Sequence, residues 1–71
     1  MNNWTEGLSH NKVHAVREAL EFELRTAHDV QSYTDYDNGW SWVVVLDGRY
    51  SYTVTVGSRG GVKSVTKELA S

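Results

Sequence analysis

The sequence predicts a single α+β domain in which one N-terminal helix packs on an antiparallel sheet of three to four strands. Apolar residues recur every three or four positions early in the chain, as in a helix, and every second position after about residue 30, as in a strand. Turn sequences that contain glycine separate the segments of period two. A length of 71 residues suits one domain, so we expect it to span residues 1–71, with residues 1–8 as an N-terminal arm.

The helix is predicted over residues 10–28. Ser9 precedes it and is suited to cap it, because its hydroxyl can accept a hydrogen bond from an unpaired backbone N–H of the first turn. Glu21 and Arg25 stand at i and i+4 in the stabilising order. The apolar stripe expected to face the sheet has the spacing of one helix face and comprises Val13, Val16, Leu20, Leu24 and Ala27.

Period-two segments predict three strands, over residues 30–36, 40–45 and 49–56. The sequences DNG (37–39) and LDG (46–48) connect them, each with a glycine where the backbone needs a positive φ. Residues 62–69 follow the flexible sequence GSRGG and fit either a fourth strand or a short helix. Their Val and Thr content favours the strand.

The register of the second hairpin decides which side chains form the core, because a shift of one residue turns a whole strand over. If Asp47 and Gly48 form a two-residue turn, Trp42 shares a face with Ser and Thr and is displayed. If residues 46–48 form a three-residue loop, Trp40 and Trp42 lie inward with the tyrosines of the third strand. We favour the three-residue loop, because it separates apolar from polar side chains better and buries large aromatic area.

In the favoured register the inner face carries Val30, Tyr36, Trp40, Trp42, Val44, Tyr50, Tyr52, Val54 and Val56. The outer face carries Tyr33, Val43, Val45 and Arg49, with Tyr33 directly opposite Val43. Exposed β-branched residues and a tyrosine on an open sheet suit a protein contact or self-association. The alternative is that they are only good strand formers on a solvated face.

Phe22 is a second candidate for a protein contact. It lies about 180° from the apolar stripe, among Ala15, Ala19 and Thr26. Either a partner covers it or the arm that carries Trp4 packs over it, and we favour the arm.

Composition excludes several function classes. The net charge of −2 argues against strong binding to nucleic acids or acidic membranes by the whole chain. No signal peptide, membrane span, cysteine or catalytic motif is visible, so we expect a cytoplasmic, non-enzymatic protein without a cofactor. His10, His14 and Glu18 have a spacing that suits a metal, but no HExxH motif or cysteine accompanies them, and we expect a solvated face without metal.

Basic residues near the carboxyl end support an alternative function. The strongest basic patch of the sequence lies in and after GSRGG (57–61) and comprises Arg59, Lys63 and Lys67. If residues 62–69 were a helix, the order α-β-β-β-α would be that of double-stranded RNA-binding domains. The alternative is therefore a nucleic-acid-binding domain that uses this basic segment.

Two short sequences resemble PepSY-type domains. In YTVTVGSRGGVKSVTKE (52–68), Y-x-V-x-V, a glycine-containing turn and V-x-x-V are arranged as at the end of such domains, and KVHAVREAL (12–20) resembles their opening helix. The resemblance covers about half of the chain. It implies a non-enzymatic module such as a peptidase regulator or inhibitor, usually outside the cytoplasm, and it gives no catalytic residues.

These observations together predict a small protein-binding module, an inhibitor or regulator of a larger complex. Domains of this size without catalytic motifs are common among phage and mobile-element proteins, including those that block defence systems such as CRISPR complexes. Between Asp29 and Asp47 the chain has four acids and no base, whereas from Gly48 onward four bases oppose Glu68. This uneven charge is typical of a protein that is steered toward a partner.

Overall fold

A computed structural model of the protein describes residues 3–34 and 38–69, and it has the predicted α+β architecture. Two helices, α1 (His10–Ala19) and α2 (Glu21–Thr26), precede the strands. The strands are β1 (Asp29–Thr34), β2 (Ser41–Asp47), β3 (Tyr50–Val56) and β4 (Val62–Leu69). They form one antiparallel sheet in the order β1-β2-β3-β4. The preference for a fourth strand at residues 62–69 is therefore confirmed.

The predicted helix over residues 10–28 is divided into two at Leu20. This residue leaves the helical conformation, with φ −126° and ψ 37°, while its N–H still bonds to the Val16 carbonyl. Its side chain is 2% exposed, so the corner places a core residue under the bend. Ser9 caps α1 as predicted and accepts a hydrogen bond from the Lys12 N–H at 3.4 Å. Within the described residues, no helix is long and apolar enough to cross a membrane.

The core lies between the helices and the two central strands. Its members are small or medium side chains, all nearly inaccessible to water: Ala15, Val16, Leu20, Val43, Val45, Val54 and Val56. Half-buried side chains from the arm, the helices and the sheet pack around them, namely Trp4, Leu8, Leu24, Ala27, Val30 and Tyr52. Both helices and the arm therefore cover the same face of the sheet.

The predicted three-residue loop at 46–48 is wrong. Asp47 pairs with Tyr50, so Gly48 and Arg49 form a two-residue turn. Gly48 has φ +60°, whereas no described non-glycine residue has a positive φ. Positive φ at the first turn position only is the pattern of a type II′ turn, whose twist suits a hairpin.

The new register turns β2 over relative to the prediction. Val43 and Val45 point into the core, and Trp42 points to the opposite face. The orientation of β3 is as predicted, since Val54 and Val56 are fully buried. Valines fill the thin space under a short helix without a polar atom, whereas a buried tryptophan needs a partner for its indole N–H.

The first hairpin also differs from its predicted register. Tyr33 pairs with Trp42 rather than with Val43. Val30 is half-buried against the core, as predicted for the inner face of β1. The predicted inward position of Tyr36 and most of the predicted turn at 37–39 lie outside the described residues.

Candidate protein-binding surface

The face of the sheet opposite the helices is formed by alternate residues of all four strands. The register groups them into three rows across the sheet: Tyr33, Trp42, Thr55 and Ser64; Gln31, Val44, Thr53 and Thr66; Asp29, Leu46, Ser51 and Glu68. The helices and the arm pack against the core on the other side of the sheet. We call this surface the open face.

The apolar part of the open face lies on β1 and β2. Trp42, Val44 and Leu46 occupy alternate positions along β2 and are each half-buried. Tyr33 lies directly opposite Trp42 on β1 and is 53% exposed. Side chains at directly opposite positions of an antiparallel pair are close enough to contact each other. Two aromatic residues therefore form one continuous apolar area with two aliphatic neighbours.

Hydrogen bonds along β1 fix the polar side chains beside this area. The Tyr33 hydroxyl donates to Oε1 of Gln31, and Nε2 of Gln31 donates to Oδ2 of Asp29 at 3.1 Å. Bonds between residues two apart on a strand confirm that the three side chains share one face. A preformed chain of this kind loses less conformational entropy when a partner binds.

The other half of the open face carries hydroxyl groups. Ser51, Thr53 and Thr55 of β3 lie beside Ser64 and Thr66 of β4. Among the twelve residues of the open face the only charged ones are Asp29 and Glu68, which both lie in the last row. The surface thus combines an aromatic and aliphatic area with neutral hydroxyl groups and acids at one end. It lacks the basic side chains that contact phosphates.

The structure separates the residues that were predicted to form a binding surface. Tyr33 lies on the open face as expected, but Val43 and Val45 are fully buried and cannot contact a partner. Arg49 lies in the exposed turn between β2 and β3. Trp42, Val44 and Leu46 lie on the open face in place of the two valines. The alternative two-residue turn at Asp47 and Gly48 assigns the residues of β2 to the same two faces, although the turn in the structure is formed by Gly48 and Arg49.

Phe22 does not have the cover that was predicted for it. Its side chain is 71% exposed on α2, whereas Trp4 of the arm packs beside the core. Ala15, expected beside Phe22 on the outer helix face, is instead buried at 6% exposure. The buried face of α1 therefore includes Ala15 together with Lys12 and Val16.

The arm and the helices border a groove of about 1000 Å³ that the sequence did not predict. Trp4, Leu24 and Val30 contribute apolar surface to it, and Arg17 and Glu21 lie on its wall. The groove contains no residue of the open face other than Asp29. It is therefore a separate feature on the helix side of the molecule.

Two of the three predicted basic residues lie over aromatic rings. The Lys63 ammonium is 5.0 Å from the centroid of the Trp40 ring, and that of Lys67 is 4.1 Å from the centroid of Tyr50. Arg59 is exposed in the connection between β3 and β4. Residues 62–69 form a strand, so the α-β-β-β-α order that favoured nucleic-acid binding is not present.

His14 and Glu18 form an exposed contact on α1, with 3.2 Å between Nε2 and Oε1. His10 lies one turn earlier and is exposed. In residues 3–34 and 38–69, no three His, Asp or Glu side chains are grouped as metal ligands.

Comparison of the chain with protein-family models, curated proteins and solved structures finds no match.

Proposed function

We propose that the chain is a small non-enzymatic protein-binding module that contacts its partner through the open face. The observation that carries the proposal is the pair of Tyr33 and Trp42, directly opposite each other on the face away from the core, with Tyr33 53% exposed and Trp42 half-buried. Tryptophan and tyrosine dominate the binding energy of protein interfaces because they bury large area at low entropic cost. A centre of this kind favours a protein partner.

The surroundings of the pair support a protein contact over a nucleic-acid contact. Val44 and Leu46 extend the apolar area along β2, and the hydroxyl groups of β3 and β4 form a polar border. An apolar centre within a polar rim is the usual composition of a protein interface. Asp29 and Glu68 would repel a phosphate backbone and favour a partner with basic residues at that end.

A module without chemistry of its own acts by occupying a surface of its partner. We infer a role as an inhibitor or regulator of a larger complex, as in phage-type anti-defence proteins or peptidase regulators. The unequal charge of the two halves of the chain would accelerate the encounter with a partner of opposite polarity. The function therefore depends on affinity and not on turnover.

The test compares capture of host proteins by three forms of the chain. The first is the wild type, the second is Trp42→Ser on the open face, and the third is Phe22→Ser on the opposite side of the molecule. Phe22 serves as the control because it is also aromatic and lies outside the open face, on α2, where it is 71% exposed. Proteins bound to each form are quantified by mass spectrometry, and the binding of each enriched protein is then measured with purified components.

We expect one partner to bind the wild type and the Phe22→Ser variant equally and the Trp42→Ser variant at least tenfold more weakly. Thermal melting shows whether each variant is folded. A partner lost with Phe22→Ser and retained with Trp42→Ser would place the binding surface on α2. Sedimentation of the chain alone tests whether the open face binds a second copy.

A further inference from the structure

Exposed apolar side chains are concentrated on β4, outside the open face already described. Five large apolar side chains are exposed among the described residues, and three of them lie on this strand. They are Val62, Val65 and Leu69, which are 45%, 48% and 68% exposed. All eight residues of the strand are exposed, although α1 lies close to it. Apolar side chains that remain in water on one strand indicate a contact surface.

The outer edge of β4 has no partner strand in the part of the chain that the structure describes. β4 is the last strand of the sheet and pairs only with β3. An edge strand presents a row of backbone N–H and C=O groups to which another extended chain can bind. With eight residues and no proline, β4 is the longest strand of the sheet. It is therefore long enough to hold an added strand.

Proteins commonly protect such edges with lysines that extend past the edge into water. The two lysines of β4 instead lie with their ammonium groups over aromatic rings. Lys67 lies with its ammonium 4.1 Å from the centroid of the Tyr50 ring and 5.8 Å from that of Tyr52. Lys63 lies over the ring of Trp40, which belongs to the segment before β2. Both ammonium groups are thus drawn across the sheet, away from its free edge.

We propose that the free edge of β4 binds an extended acidic segment of another protein as a fifth antiparallel strand. Val65, Lys67 and Leu69 alternate along the strand, and Lys67 is directly opposite Tyr52 of the helix side. Side chains of the added strand opposite these three residues contact them directly. The partner segment therefore has the pattern apolar-x-acid-x-apolar, and the exposed Lys67 side chain turns from the Tyr50 ring to the acid when the segment binds.

The charge of the carboxyl-terminal segment supports an acidic partner. From Gly48 to Ser71 the chain has four bases, Arg49, Arg59, Lys63 and Lys67, and one acid, Glu68, which gives 4 − 1 = +3. An acid opposite Lys67 is favourable, whereas a lysine there is repelled. The proposal does not depend on the open face, since Val65, Lys67 and Leu69 lie on the helix side of β4.

The probe is the fluorescein-labelled peptide Thr-Val-Thr-Glu-Thr-Val-Thr, with a control peptide that has Lys in place of the central Glu. The pattern is the same in both chain directions, so it fits the edge whichever way the peptide lies. We expect the wild-type chain to bind the Glu peptide about tenfold more tightly than the Lys peptide, by fluorescence anisotropy. Lys67→Glu should reverse this preference. If Lys67→Glu does not fold, Lys67→Gln replaces it and should abolish the preference.

Hydrogen exchange of the backbone amides locates the peptide. Addition of the Glu peptide should slow exchange on β4 and leave exchange on β1, the other edge, unchanged. Equal affinity for the two peptides, no binding of either one, or slowed exchange on β1 instead of β4 would overturn the proposal. So would exchange on β4 that slows with protein concentration in the absence of peptide, because a second copy would then be the occupant. The Phe22→Ser variant, altered on α2, should bind the peptide as the wild type does.

Discussion

The ammonium nitrogen of Lys12 lies 2.8 Å from the hydroxyl oxygen of Ser41, although the lysine is only 8% exposed and the serine is fully buried. The same nitrogen donates to the Gly39 carbonyl at 2.7 Å. A charged group leaves water at a large cost unless it forms hydrogen bonds, and these two bonds offset that cost. They also connect α1 to the start of β2. Because they require Ser41 to point toward the helix, they favour the orientation of β2 that places Trp42 outside.

Replacement of Lys12 by methionine tests this connection. Lys12→Met keeps most of the side-chain volume and removes the donor from one buried and one half-buried acceptor. The Ser41 hydroxyl is then left with the Thr34 hydroxyl at 3.4 Å. We expect the free energy of unfolding to fall by about 1–3 kcal/mol. In a domain of this size, the melting temperature falls by roughly 4–8 °C for each kcal/mol. Circular dichroism measures the melt.

The control for that variant is a double-mutant cycle with Ser41→Ala. If the two residues interact, the double variant loses less stability than the sum of the single losses. Additive losses, or a Lys12→Met variant as stable as the wild type, would show that the connection does not stabilise the fold.

Local patterns predicted the elements of this fold, and a non-local choice misplaced β2. The stripe of the helix, the Ser9 cap and the period-two segments depend on residues near one another in sequence, and each has its counterpart in the structure. β2 carries apolar residues on both faces, so its hydrophobic pattern fits either orientation. The length of the turn between β2 and β3 decides between the two orientations. The two-residue turn that begins at Gly48 places Trp42 on the open face. Tyr33 lies on the predicted face of β1, although its partner on β2 is Trp42 and not Val43.

Other features depend on contacts that the sequence does not reveal. No glycine or proline marks the bend at Leu20, and its side chain is 2% exposed in the core. A lysine near the start of a helix is usually solvated, and nothing near Lys12 in sequence shows that Ser41 will bind it. The three exposed apolar residues of β4 also fit the pattern of an ordinary strand. Their exposure depends on how far the helices extend over the sheet, which the sequence does not reveal.

The revised position of Trp42 reverses the expected order of two core substitutions. Val43→Ala removes two methyl groups from a fully buried site and should cost about 2–3 kcal/mol, including the cavity that it leaves. Trp42→Thr changes a half-buried side chain on the open face to another strand former, and should cost about 1 kcal/mol or less. Chemical denaturation of both variants gives the comparison. A larger loss for Trp42→Thr would mean that the tryptophan belongs to the core.

Close packing of Trp40 on Gly57 gives two alanine substitutions with opposite expected signs. A Cβ atom on Gly57 would lie 3.0 Å from Cζ3 of Trp40, so the ring must shift to admit it. We expect Gly57→Ala to destabilise the fold by about 1–3 kcal/mol, as overpacking does. The matched control is Gly61→Ala, whose Cβ meets no atom within 4 Å. It should stabilise by about 0.4–1 kcal/mol because it restricts the unfolded chain. Equal effects of the two changes would argue against the contact between Trp40 and Gly57.

The two-residue turn at Gly48 can be tested through its backbone conformation alone. A Cβ atom on Gly48 would meet no other atom within 4 Å, so a substitution there acts through its φ of +60°. An L-residue other than glycine adopts this conformation at a cost of roughly 1–2 kcal/mol, and asparagine does so more readily than alanine. We therefore expect stability to decrease in the order wild type, Gly48→Asn, Gly48→Ala, measured by urea denaturation.

Gly61→Ala is again the control, since Gly61 is equally open and does not have a positive φ. A Gly48→Ala variant as stable as the Gly61→Ala variant would show that Gly48 does not have a positive φ, and the placement of Trp42 on the open face would then lose its main support.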